Sequence, residues 1–180
     1  KLMNDRLPTP RAAFALFIIT LFLNFTLGLL LFAFSTDLGL ILVEPLAVLL
    51  PTLLIIRFLK LDLRKTLRLE LPSLSDLILA IPLAFALAVI NDQLTNLTNL
   101  FFPLDEEFQR RMVELLRTTG TYDWTIKLLG IGIGAAVSEE LLFRGFIQRG
   151  LERGLGRSAA ILLTSLLFAA MHMIPQGIPS

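Results

Sequence analysis

Residues 12–34, AAFALFIITLFLNFTLGLLLFAF, run without a single charged side chain. A helix crosses the ~30 Å hydrocarbon core of a bilayer with ~20 mostly apolar residues at ~1.5 Å of rise each. This stretch is long enough to stay in the bilayer, and no n-region, h-region and cleavage site marks it as a removable signal peptide. The whole chain agrees: 55% of its 180 residues are apolar, 17% are charged, and the mean hydropathy is +0.76. A soluble domain carries about 25% charge. The net charge of +1 says nothing about nucleic acid, but no basic stripe interleaved with aromatics appears, so no nucleic-acid partner is expected. With no cysteine there are no disulfides and no thiolate metal sites, and a single histidine, His172, excludes a His-only metal site.

A second apolar stretch, residues 38–59, is interrupted by Glu44, Pro45 and Pro51. The short Ser35–Asp37 connection predicts an antiparallel hairpin with the first. Lys1, Arg6 and Arg11 precede this hairpin, and Arg57, Lys60, Arg64, Lys65 and Arg68 come after it. By the positive-inside rule both its ends lie in the cytoplasm. The third span runs over residues 74–90, opened by PSLSD as a helix start, and residues 91–123 are mixed. Within them Phe108, Met112, Leu115 and Leu116 recur at helical spacing, which predicts an amphipathic surface helix ending at Gly120. Its charges balance, so lipid anchoring and packing on the bundle stay open. The fourth span begins near Trp124 and ends near Gln148, and the fifth covers residues 158–174. The expected fold is all-α: one membrane-embedded domain over residues 1–180, a polytopic bundle of about five spanning helices plus the surface helix.

Polar side chains inside such spans ask for a reason. In GAAVSEELLFRGFIQRG, residues 134–150, two glutamates and an arginine sit in an apolar run. An acidic or basic residue at a helix centre costs ~2.5–3.5 kcal/mol on insertion scales. Glu140 and Arg144, one turn apart, can pair, and Arg144 can snorkel toward the cytoplasmic interface. Glu139, about 100° around the helix, has no local partner. With the turn to the next helix centred near Arg153, Glu139 is level with about residue 168 and one turn from His172. A carboxylate and an imidazole holding one water form a minimal hydrolytic site. Just before them, Gly130, Gly134 and Ser138 share a face suited to close helix packing rather than to cradling phosphate. Glu44 either lines the same chamber or sits at the interface distant from the cytoplasm with its carboxylate in water; the second is preferred, since Asp37 is only seven residues away.

EELLFR followed by FAAMH resembles the EExxxR and FxxxH motifs of the CPBP family, the CAAX protease and bacteriocin-processing group of intramembrane proteases, which includes the type II CAAX prenyl endopeptidases. The resemblance is strong over residues 124–174 and general upstream. It implies an all-helical membrane enzyme whose polar chamber opens to the cytoplasmic side. It puts water activation on Glu139, support on Glu140 and Arg144, and a chamber lining on Phe168. His172 would hold the water or stabilise the oxyanion. Members are described both as metalloproteases and as metal-free glutamate enzymes. With no cysteine and one histidine we expect no metal and no cofactor, zinc being the lesser alternative. Members also carry a histidine and then an asparagine or similar residue on later helices. This sequence ends at Ser180 with one histidine, so either those helices are expected to lie outside it or the chain is an incomplete homologue.

The leading reading is an intramembrane endopeptidase acting on a membrane-associated peptide or protein, in a prokaryotic cell membrane with the amino terminus in the cytoplasm. A non-catalytic immunity or scaffolding protein of the same fold is the alternative. A small transporter with a Glu/His proton relay ranks last, since there are few spans and no inverted repeat. Neither substrate identity nor oligomeric state is legible.

Overall fold

The computed structural model describes residues 7–103 and 105–173, and these contain helices and no strand, as an all-α fold requires. We label Pro10–Phe34 as α1, Thr36–Phe58 as α2, Leu63–Leu67 as α3, Leu74–Phe101 as α4 and Glu106–Leu116 as α5. Residues 121–155 run on as α6, and Arg157–Met173 is α7. Three of these, α1, α2 and α4, are long and apolar enough to cross a membrane. The other two expected spans differ: α6 is not regular along its length, and α7 has 17 described residues, the lower limit for a crossing.

Contacts divide the chain into two compact units, one within Lys1–Leu69 and Thr118–Ser180, the other Glu70–Arg117. In the second unit, the expected start of α4 is a capping box between Ser73 and Asp76. The helix continues through the Asn/Thr-rich stretch to Phe101, beyond the end near residue 90 that its apolar pattern predicts. Thr95 and Thr98 donate to the carbonyls of Asn91 and Leu94 at 2.9 and 2.7 Å, so their hydroxyls are satisfied within the helix. In α5, Asp105 caps the amino end by accepting from the N–H groups of Glu107 and Phe108. The helix ends at Leu116 rather than Gly120, because Arg117 is already extended.

In the first unit Thr9 caps α1, with Pro10 at its first position. Ser35 breaks the helix with an extended backbone and α2 begins at once, making the expected hairpin. Between Pro45 and Pro51, α2 widens into a π-helical turn, Pro45–Leu49, where the Leu50 N–H reaches the Pro45 carbonyl. Thr52 donates to the Val48 carbonyl at 2.7 Å one turn on.

Helix α6 changes pitch repeatedly. Thr121–Lys127 is α-helical, Leu128–Ala135 π-helical, Ala136–Glu140 α-helical, Leu141–Ile147 π-helical and Gln148–Leu155 α-helical. Its second half supplies the core: Leu142, Phe146, Ile147 and Leu151 are fully buried with Leu16 of α1 and Val48 of α2. Gly130 lies against the backbone of Leu40, where a Cβ would sit 2.4 Å from the carbonyl oxygen. Gly130 and Ser138 are buried as one face, but Gly134 is not. A π turn carries an extra residue, so the four-residue period that groups these three in a regular helix slips.

The turn to α7 falls at Gly156, whose φ of +77° with an extended ψ suits only glycine. This corrects the expected turn near Arg153 by three residues. Arg153 instead donates to the Leu7 carbonyl at 2.7 Å, holding the start of α1. Beside it Glu152 accepts from Arg68 and from Gln148, and Arg149 lies 3.7 Å away. Partial burial works against the charged form of Glu152, but the Arg68 and Gln148 hydrogen bonds and the two guanidinium charges hold its carboxyl below the ordinary value.

Gly130→Ala should lower unfolding stability by about 1–3 kcal/mol through overpacking, whereas Gly28→Ala, with open space around it, should leave it unchanged or slightly higher. Thermal unfolding in detergent compares them. Because the folded carboxyl of Glu152 is the more acidic, its contribution is present above pH 4.5 and is lost as the pH falls below it. Arg68→Ala should therefore flatten the decline of the unfolding midpoint on acidification, and an unchanged slope would count against the cluster.

Candidate active site

Glu139 and Glu140 sit on the single α-helical turn between the two π-helical stretches of α6. They diverge as the sequence predicts. Glu140 pairs with Arg144 at 3.0 Å, with side chains 55% and 70% exposed, a geometry worth at most ~1 kcal/mol. Glu139 is only 19% exposed and turns toward α7, where its Oε1 lies 3.4 Å from Nε2 of His172. The two are closer than the water-spanned reach expected from sequence. With the turn at Gly156, the residue level with Glu139 moves from about 168 to about 172.

His172 is held from two further directions. Its Nδ1 is 2.9 Å from the Phe168 carbonyl oxygen, one turn back. A carbonyl only accepts, so Nδ1 carries a proton and Nε2 is the nitrogen that faces Glu139. Neutral imidazole and ionised carboxylate would then present two acceptors to each other. The 3.4 Å approach therefore calls for a proton shared by the pair or a donor between them. The Phe168 ring tilts against the imidazole at 4.3 Å and meets Phe143 edge-on at 5.0 Å. Phe143 in turn contacts Phe17 of α1, which ties the histidine to the core. All five residues singled out from the sequence, Glu139, Glu140, Arg144, Phe168 and His172, are described, and the first four line one cleft of about 440 Å3.

Glu44 departs from its expected place. Its Oε2 is buried and its Oε1 accepts from Asn24 Nδ2 at 3.2 Å, so the carboxyl is not held in interfacial water. The π turn that follows it packs against the turn bearing Glu139, and Glu44 lies within electrostatic range of Glu139 and His172. Asn24 is not among the residues that the sequence singles out. Its signal is an amide in the middle of a charge-free span, where a polar side chain needs a partner on another helix. Thr164 is a second such residue: its hydroxyl is buried in the cleft wall without a hydrogen-bond partner among the described residues.

A zinc site needs three protein ligands with an open fourth position. Among the described residues no three His, Cys, Asp or Glu side chains converge in that way. Among the described residues Glu139 and His172 bring one carboxylate and one imidazole together.

Three long apolar helices mark an integral membrane protein, and a partly buried carboxylate beside an imidazole forms a polar centre on two of its consecutive helices. Residues 121–179, about a third of the chain, match the family described as type II CAAX prenyl endopeptidase Rce1-like. The resemblance carried by the two motifs thus holds over the segment containing Glu139 and His172, which points to a CAAX-type protease. No curated protein and no solved structure shows a significant match.

Phe168→Ala should remove both the imidazole's supporting face and the edge contact with Phe143. We expect a loss of about 2 kcal/mol in unfolding stability, measured by denaturant titration. Unchanged stability would show that this stack does not hold the histidine.

Proposed function

We propose that the protein is an intramembrane endopeptidase that hydrolyses a peptide bond of a membrane-associated substrate with a water activated by Glu139. The observation that supports this most is the 3.4 Å contact between Glu139 and His172 within the matched segment. Glu139 accepts a proton from water as the water oxygen bonds to the carbonyl carbon. The carbonyl electron pair moves onto oxygen, where Nε2 of His172, carrying the proton that the resting pair shares, stabilises the negative charge. The C–N bond then breaks and the amine takes the proton held by Glu139, leaving acid and amine and no acyl-enzyme. Phe168 fixes the imidazole through its carbonyl and ring, while Glu140 and Arg144 support the same turn. The reaction is written without metal. By the family's description, the first substrate class to test is a prenylated carboxyl-terminal peptide. The site would open to the cytoplasm of a prokaryotic cell, with the amino terminus on that side.

The test uses the protein in proteoliposomes and a quenched fluorescent peptide ending in farnesyl-cysteine and three further residues, with unprenylated peptide in parallel. The parent should cleave, and the rate should trace a bell in pH, since one group must be deprotonated and another protonated. Glu139→Gln and His172→Ala should lower kcat by roughly 10²–10⁴-fold with folding intact. Glu140→Gln should cost about tenfold or less, as its ion pair is exposed. Normal turnover by Glu139→Gln would remove it as the base. If cleavage is absent but both variants still protect cells in an immunity assay, the non-catalytic scaffold is the better reading.

A further inference from the structure

Beside the Glu139–His172 pair, α1, α2 and α6 line a second, half-open cavity of about 220 Å3 with largely apolar walls. Ala135, one turn before Glu139, and Met171, which precedes His172, form the wall nearest the pair. Asn24 of α1 and Glu44 of α2 are the polar side chains of the cavity's lining.

Their arrangement is directional. A carboxylate oxygen accepts, so the Asn24 amide presents its NH2 to Glu44 Oε1, and the amide cannot flip without losing that bond. Among the described residues this is the one hydrogen bond of the Asn24 side chain. Its Oδ1 acceptor and its second N–H are therefore both uncommitted, in a fixed orientation. A peptide entering a cavity with apolar walls has the complementary problem. Each backbone unit brings a donor and an acceptor that hydrocarbon walls cannot satisfy. A side-chain amide offers one acceptor and one donor to such a unit.

We propose that Asn24, oriented by Glu44, is the anchor that hydrogen-bonds a backbone amide of the bound peptide on the α1–α2 side of the Glu139–His172 pair. This rests on the endopeptidase reading and adds to it a binding residue and a positioning residue outside the matched segment. The ligand class is a peptide backbone, so the anchor is indifferent to side-chain identity. Glu44 acts through Asn24 by fixing which end of the amide faces the substrate.

Binding is measured in the Glu139→Gln background, where the peptide stays intact. The probes are the farnesylated peptide and a series in which one backbone amide at a time, outside the scissile bond, is replaced by an ester. Asn24→Leu should weaken the all-amide peptide about tenfold, as expected for losing a hydrogen bond to a buried group. For the ester that deletes the contacted N–H, Asn24→Leu should add no further loss. Glu44→Gln should give a smaller loss that vanishes with the same ester. If Asn24→Leu does not fold, Asn24→Ser carries the same comparison. Losses equal across amide and all esters, or no loss at all, overturn the anchor and leave Asn24 as a helix-packing hydrogen bond. Parent cleavage alongside that result overturns the anchor alone. Asn24-dependent, ester-sensitive binding without parent cleavage keeps the anchor and removes the catalytic reading. Absence of binding to any of these peptides overturns both.

Discussion

A carboxylate surrounded by apolar helices loses the water that stabilised its charge, and the loss amounts to several kcal/mol unless a partner replaces it. Much of the first unit is arranged around how that demand is met. Glu140 meets it with Arg144 at an exposed edge. Glu152 meets it at the end of α6 with Arg68, Arg149 and Gln148. Glu139 meets it with a single imidazole on the neighbouring helix. Glu44 meets it halfway, with one oxygen bonded to Asn24 and the other buried without a partner among the described residues. The order of completeness runs from the periphery to the centre.

Backbone irregularity has the same distribution. The π-helical stretches of α2 and α6 begin immediately after Glu44, end immediately before Ala136, and resume immediately after Glu140. Each π turn inserts a residue and rotates the next residues of the helix away from the faces a regular helix would give them. In α2 the cause lies in the sequence, since Pro45 and Pro51 remove two donors within one stretch. In α6 there is no proline, and the glycines at 130, 132 and 134 lower the cost of widening. The pitch changes aim Glu139 at α7 while Glu140, its neighbour, stays on the exposed side with Arg144.

These irregularities explain which features are legible from residues alone. Long apolar runs announce helices in lipid whatever their partners, so α1, α2 and α4 can be read directly. The motif pair Glu139 and His172 is legible because short spacings along two consecutive helices survive small errors of register. Depth is less secure: placing the turn at Arg153 instead of Gly156 displaces the partner of Glu139 by one turn. Gly156 is the available signal, a glycine followed by the first residue of a new apolar helix. Faces deduced from a constant 3.6-residue period fail where the pitch changes, as for Gly134. Asn24 and Glu44 are harder still, since their pairing joins two helices 20 residues apart and no local pattern records it.

The placement of Asn24 and Glu44 bears on how such a centre would handle its substrate. The motif residues occupy α6 and α7, and between them they provide one acceptor, one donor and an aromatic floor. That set can act on a bond but has little with which to hold a chain, since Glu140 and Arg144 already satisfy each other. The α1–α2 hairpin supplies the opposite complement: an apolar cavity with one oriented amide on its wall. Because α1 is pinned to the end of α6 through Arg153 and Leu7, and α2 is seated on α6 through Gly130, the two halves keep a fixed separation. Chemistry on one pair of helices and grip on the other would then depend on the same close contact at Gly130. A side chain there would disturb the cavity wall at Leu40 as well as the packing.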